Sequence, residues 1–377
     1  MSHPLCLEFV MSDEPEVESE EGMRILRASI KKEDYLSTGS TLLNLACSGM
    51  PEYGLAKGLY FWMVGDSSSG KTFLMLTCIA EACRNPNWDG YDLIFDDVEG
   101  GALMDFEKFF GKKMAQRIKP PKKGSDGVPI YSDSAEDFYF GLDDKLKAVE
   151  AGKAKPFLYL LDSMDALTTK YEGEKFQEKK SAKKTGKKPT GDYGDGKAKI
   201  NSTWIRTVVR RLRDTRCTLI VLSQTRDNVG GGLFDPKSTS AGGRALKFYA
   251  TWQLWSSPGA SLTKLVNGQK RQLGMTSRIT IKKNRLTGKE WTVEVPIYHS
   301  YGIDDIGSCI NFLVKEKAWS EEEGTLKAPI FDFSGKRDTL IRKIESERLH
   351  KDLIEEVTDV WRTIEEACQV ARKPRYE

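Results

Sequence analysis

Only three histidines occur in this 377-residue chain, and its seven cysteines, at positions 6, 47, 78, 83, 217, 309 and 368, include no C-x-x-C pair. That spacing excludes a ribbon-type zinc site and a disulfide framework, and it predicts reduced thiols packed as small apolar groups. Long hydrophobic runs are absent as well. No window approaches the roughly 18 consecutive apolar residues of a membrane span, so no membrane partner is expected. The short apolar patch at the N-terminus runs straight into DEPEVESEE, which does not fit a secretory leader, and the expected location is the cytosol or nucleoid. There is no internal repeat and no heptad run long enough for a coiled coil.

What is present is an ordinary globular composition, 39% hydrophobic and 30% charged, with a net charge of +3. The small total hides segregation along the chain. Residues 13–21 carry six acids and no base, 170–199 carry ten lysines against five acids, and 264–290 carry eight bases against one acid. Such runs are either solvated faces or anion-binding faces, and position decides between them. The most conspicuous run, KKSAKKTGKKPTGDYGDG at 179–196, has three Lys-Lys pairs four residues apart, followed by a Gly-, Asp- and Pro-rich part that cannot hold a helix or strand.

The length suits one large domain with a smaller appendage. Residues 1–35 read as an acidic arm. From Tyr60 onward, apolar strands alternate with helical patterns, the βαβ signature of an α/β fold with a mostly parallel sheet flanked by helices. Strands are predicted at 59–64, 91–97, 157–162 and 218–224, each a nearly continuous apolar run of the kind buried on both faces. Helices are predicted at 71–84, 102–115, 135–151 and 200–214; in the last, Trp204, Val208 and Leu212 form the core stripe while Arg206, Arg210 and Arg213 stay outside. The segments WQLWS, SRITIKKNR and EWTVEVPIY read as a closing, partly antiparallel set. A core over 36–310 and a small helical C-terminal region over 311–377 complete the division, with Leu353, Val357, Val360, Ile364 and Cys368 as an apolar stripe of the last helix.

Between the first core strand and its helix lies GDSSSGKT, comprising Gly65, Asp66, Ser67, Ser68, Ser69, Gly70, Lys71 and Thr72. This is G-x-x-x-x-G-K-[ST] in the strand–loop–helix context that gives the motif its meaning. Its glycines let backbone N–H groups curl around a polyphosphate, and the helix N-terminus adds its positive end. Lys71 is placed for the β- and γ-phosphates, and the Thr72 hydroxyl for Mg²⁺. Asp162 ends a later apolar strand, where a second carboxylate on the magnesium side is expected. An acid that orients or deprotonates water is also required; Glu99 in FDDVEGG is best placed by position, with Asp96 and Asp97 as competitors. ATP and Mg²⁺ are the implied cofactors.

Taken together, YLSTGSTLLNLA (35–46), GDSSSGKT, FDDVEGG, LLDSMDAL, LSQTR and above all AGGRALKFYA (241–250) resemble the RecA family of recombinases over roughly residues 35–315. The resemblance implies a RecA-like P-loop NTPase core. It also implies a DNA-dependent ATPase that polymerises on single-stranded DNA and promotes pairing and exchange with a homologous duplex. A mediator or single-strand-binding protein is a further implied partner, and for a phage-encoded protein the location would be the host cytoplasm. Glu99 takes the place of the family's water-activating glutamate, and Gln224 that of the glutamine that senses the γ-phosphate and relays it to the DNA loop that follows. In that loop Arg226, Gly230, Gly231, Gly232 and Phe234, then Gly242, Gly243 and Arg244, are the implied DNA contacts. Phe106 falls where the family places an aromatic on adenine. Lys283 and Arg285 resemble the cations that reach a neighbouring subunit's nucleotide; the second is a lysine in the family and arginine here.

Two departures stand out. Ser223 replaces an asparagine, and the acidic arm shows no counterpart of the family's polymerising element. A ring helicase or motor with the same core, or an ATP-binding recombination accessory, are the rival readings. The lysine pairs fall where the family has its first DNA-contacting loop. Lys179, Lys180, Lys183, Lys184, Lys187 and Lys188 are therefore expected to make sequence-independent phosphate contacts.

Overall fold

The computed structural model describes residues 30–185, 196–227, 238–240, 243–373 and 375. The chain has an α/β fold built on a ten-stranded, mostly parallel sheet. Its main strands are β1 (Tyr60–Gly65), β2 (Asp92–Asp97), β3 (Ile118–Lys119), β4 (Phe157–Asp162), β5 (Thr218–Asp227), β6 (Trp252–Val266), β7 (Gln269–Asn284), β8 (Thr292–Tyr298) and β9 (Gly302–Ile303). They lie in the order β9-β8-β7-β6-β1-β5-β4-β2-β3, and Ser238–Ser240 pairs back on β5. From β6 to β3 every neighbour is parallel; β6 to β9 form an antiparallel flank.

The side-chain period of two sends alternate residues of each strand to opposite faces, and each face meets its own helices. On one side Phe61, Met63, Leu93, Phe95, Leu160 and Leu222 pack under α1 (Thr41–Ser48) and α2 (Lys71–Arg84). On the other, Tyr60, Trp62, Val64, Ile94, Tyr159 and Val221 pack under the helices Ala135–Glu150 and Gly196–Thr215. Nearly continuous apolar strands are what a sheet covered on both faces needs.

Most predicted elements appear within a residue or two. The predicted helix at 102–115 instead divides into α3 (Phe106–Phe110) and α4 (Lys112–Arg117), because Gly111 between them adopts φ +85° and breaks the helical path. Then come α5 (Ala135–Glu150), α6 (Lys170–Thr185), α7 (Gly196–Thr215), α8 (Arg244–Tyr249), α9 (Asp305–Lys315), α10 (Arg337–Glu347) and α11 (His350–Ala367). The α7 core stripe is Ile205, Val208 and Leu212, with Trp204 half-buried beside it and Arg206, Arg210 and Arg213 exposed.

Part of the stretch read as a basic loop is helical. α6 runs through the first two lysine pairs to Thr185, started by a capping box in which Thr169 Oγ1 accepts from Glu172 N at 3.1 Å and Glu172 Oε2 accepts from Thr169 N at 2.8 Å. Its Lys, Glu, Gln and Ala residues favour helix without supplying an apolar face.

The region beyond 310 holds a three-stranded antiparallel sheet (Ser320–Glu322, Thr325–Ala328, Phe333–Gly335) as well as its helices. α11 packs on the chain's own core through Leu353, Val357 and Trp361, with Trp361 4.2 Å from Trp291 between ring centres, while Cys368 is exposed. Cysteines 47, 78, 83, 217 and 309 are buried free thiols. No helix among the described residues is long and apolar enough to cross a membrane.

Candidate functional site

The site gathers at the carboxyl ends of β1, β2, β4 and β5, where an open parallel sheet presents its loops. The 65–72 loop joins β1 to α2. Ser68 (φ +57°) and Gly70 (φ +84°) both take left-handed conformations that turn the chain into the helix. Gly65 is required by space, since a Cβ there would collide with Ser256. The loop is braced from the antiparallel flank: Ser69 Oγ lies 2.8 Å from Ser256 Oγ of β6, and Ser277 Oγ of β7 donates to the Ser69 carbonyl at 2.7 Å.

Lys71 is buried and folds back over the loop, its Nζ donating to the carbonyls of Gly65 (2.9 Å) and Asp66 (2.7 Å). Burial pushes its ammonium below the ordinary lysine range, against the pull of Asp162, Glu99, Asp66 and Asp165. Thr72 Oγ1 donates to Asp162 Oδ2 at 2.6 Å. Asp162 is pushed up to about 6, first by burial and further by Glu99 and Asp97, while the Thr72 hydrogen bond and Lys71 oppose the rise. A carboxylate so poorly solvated beside a hydroxyl is short of positive charge, which is what a divalent cation with its phosphates supplies. Among the described residues no group of three or more acidic, histidine or cysteine side chains is arranged to hold a metal. The donor set of Thr72, Asp162, Lys71 and backbone N–H groups therefore fits Mg²⁺ that arrives with a polyphosphate.

Three acids end or follow β2, and the geometry separates them. Asp96 is buried and accepts from Tyr159 OH (2.7 Å), Ser132 Oγ (2.7 Å) and Ser132 N (3.0 Å). Asp97 caps its own loop, accepting from Gly101 N and Ala102 N at 3.2 and 3.3 Å. Glu99 instead meets the carboxyl ends of β4 and β5: Ser163 Oγ and Gln224 Nε2 both donate to its Oε1, the latter at 3.0 Å. Gln224 is itself held by its N–H to Asp165 Oδ2 at 2.7 Å, and the next residue, Thr225, donates to Asp66. Ser163, Asp165, Thr225, Ser256 and Ser277 escaped the sequence reading. The first two adjoin Asp162 in LLDSMD, whereas the two flank serines carry no local signal.

Phe106 is half-buried in an aromatic group, 6.3 Å from Phe95 and 5.7 Å from Phe110 between ring centres. Lys283 and Arg285 lie well away in sequence, at the end of β7, and are held by the end of α8. Lys283 Nζ donates to the carbonyls of Phe248 (2.6 Å) and Lys247 (3.2 Å), and Arg285 Nη2 to that of Phe248 (2.8 Å). Lys283 is lowered to about 8, first by burial and then by Arg285 and Lys247.

Of the expected DNA contacts, Gly243 (φ +85°) precedes α8 and Arg244 opens it, exposed. Lys180 is exposed on α6; for Lys179, Lys183 and Lys184 only the helical backbone is described. Arg226 is in β5 opposite Thr239, with its side chain outside the described residues. Lys187, Lys188, Gly230, Gly231, Gly232, Phe234 and Gly242 also lie outside them.

Comparison with known proteins points to one family. The RecA N-terminal domain matches residues 158–304. Protein RecA of Lactococcus lactis subsp. cremoris is 27% identical over 299 residues, 78% of this chain and 67% of that protein. These matches support a RecA-family protein. The RecA proteins of Cytophaga hutchinsonii (27% over 302 residues, 77% of this chain and 73% of that one) and Prochlorococcus marinus (26% over 348 residues, 89% and 78%) are similar to it in the same way. The matches support a recombinase-like role at the level of the family.

Proposed function

We propose that the chain is a DNA-dependent ATPase that forms filaments on single-stranded DNA and promotes homologous pairing and strand exchange. The observation that carries this reading is the 3.0 Å hydrogen bond from Gln224 to Glu99. It ties the acid read as the water-activating base to the strand that carries Arg226 and runs on toward the glycines. A loss or gain of that bond is felt on both sides, which is how nucleotide state and DNA binding would be coupled.

In this reading the backbone of residues 65–70 and Lys71 hold the phosphates, Thr72 and Asp162 hold Mg²⁺, and Glu99 orients and deprotonates water. When bound, Mg²⁺ supplies positive charge where negative charge develops on the transferred phosphoryl group. Phe106, with part of its ring open, takes the adenine. Lys283 and Arg285 serve a neighbouring subunit's nucleotide, so turnover depends on assembly. DNA is held by the lysine pairs 179–188, by Arg226, Gly230, Gly231, Gly232 and Phe234, and by Gly242, Gly243 and Arg244 at the start of α8.

Negative-stain microscopy with single-stranded DNA and a slowly hydrolysed ATP analogue tests the reading. Helical filaments are expected. Closed rings would point to a motor, and the absence of any assembly to an accessory protein.

A further inference from the structure

A cavity of about 200 Å³ lies between β7, β8, α9 and α11. β9 pairs only with Ile297 and Tyr298 of β8, which leaves the earlier edge of that strand to α9, and Ser308 Oγ donates to the Glu294 carbonyl there at 3.0 Å. Leu42 and Val293 supply apolar wall. Three aromatic rings also line the space: Trp361 of α11 stands 4.2 Å from Trp291 and 5.7 Å from Phe312 between ring centres.

The two indoles differ in one respect. Trp291 Nε1 donates to Glu365 Oε1 at 3.0 Å, whereas Trp361 Nε1, on a side chain only 2% exposed, meets no acceptor among the described residues. A buried donor left unmade costs more free energy than an ordinary hydrogen bond returns, so this one calls for an acceptor. A single water suits it poorly, because an ordered water needs two to four polar partners and the rings beside Trp361 provide none. The rim adds no net charge: Arg278 stands opposite Glu294 in the β7–β8 register, and Lys315 is followed by Glu316 at the end of α9, all four exposed.

We propose that this cavity is a binding site for a small, neutral aromatic or heteroaromatic molecule bearing a carbonyl or ring-nitrogen acceptor, with Trp361 Nε1 as the donor that recognises it. Size is the first argument. Apolar cavities of about 150 Å³ take benzene and drug-sized ligands need about 300 Å³ or more, so a cavity of about 200 Å³ holds one ring system with a short substituent and excludes a nucleotide. Shape is the second, since indole and phenyl rings pack best against another flat ring, offset or edge-on. The balanced rim supplies the third. An ionic ligand would leave water without a counter-charge reserved for it, whereas a neutral one would not. Because the lining comes from the core strands and from α11 alike, an occupant ties the C-terminal helix to the sheet. This inference is independent of the nucleotide site.

Magnetic resonance of the full chain labelled with nitrogen-15 at its tryptophan indoles tests the site, with benzamide as a probe that has an acceptor and toluene as a similar ring without one. The Trp361 resonance is identified by its loss in Trp361→Phe, which keeps a ring and removes the donor. Benzamide should move that resonance saturably and bind about tenfold more tightly than toluene, the worth of one buried hydrogen bond. In Trp361→Phe, with binding followed at the Trp291 indole, the preference for benzamide should vanish. Absence of a saturable benzamide response, equal affinity for toluene in the unaltered chain, or a preference that survives Trp361→Phe would overturn the site. The comparison of the two probes in the unaltered chain decides the matter even if the variant fails to fold.

Discussion

Gln224 Nε2 and Glu99 Oε1 are 3.0 Å apart although their strands, β5 and β2, are not neighbours. The bond passes over the end of β4, where Asp162 and Ser163 sit, so a change at any one of these residues reaches the other three. This relationship makes the site a single unit.

Glu99→Gln keeps the acceptor oxygen but removes the base. Nucleotide binding should be retained, and DNA-stimulated turnover should fall about 10²- to 10⁴-fold, the range set by loss of a general base. Equilibrium binding and single-turnover hydrolysis separate the two; turnover at the original rate would place the base elsewhere.

Lys71→Ala removes the ammonium that now bonds the Gly65 and Asp66 carbonyls. ATP hydrolysis should be abolished, with the circular dichroism spectrum and melting curve of the nucleotide-free chain nearly unchanged. Undiminished hydrolysis would refute the assignment of the phosphate loop.

Lys283 gives a pH dependence. Its folded pKa of about 8 lies below the ordinary value of 10.5, so folding releases its proton between those values and stability rises with pH across that window as the burial cost of the charge disappears. Filament-dependent turnover, which needs the cation, should fall as pH passes through about 8, the folded pKa. Lys283→Arg keeps its charge throughout and should remove the alkaline limb of the rate profile. An unchanged limb would exclude Lys283 as its source.

The basic stretch makes a prediction about salt. Neutralising Lys179, Lys180, Lys183, Lys184, Lys187 and Lys188 together should flatten the dependence of DNA affinity on salt. Each phosphate left without its lysine should lower the log–log slope by about 0.7 on a single strand. An identical slope would return the stretch to a solvated surface.

The central strands and the phosphate loop were legible because their signals are local: continuous apolar runs for β1, β2, β4 and β5, and a motif confined to residues 65–72. Glu99 was legible only in rank, since Asp96 and Asp97 close the strand just before it; burial under Tyr159 and Ser132 and the Gly101 cap separate them. α6 was missed as a helix because a helix without an apolar face has no periodicity, although the Thr169–Glu172 box was there to be read. The small C-terminal sheet has strands of three or four residues, too short for alternation to register. Contacts such as Lys283 with the Phe248 carbonyl depend on how β7 and α8 pack, and no nearby residue announces them.

Ser69 is gripped by β6 through Ser256 and by β7 through Ser277, and these same two strands continue as an exposed ribbon to a turn at Asn267 and Gly268. The ribbon is a lever with its fulcrum at the phosphate loop. A twist at its tip would arrive at two hydrogen bonds of under 3 Å that hold the 65–72 loop, through paired strands instead of through charge.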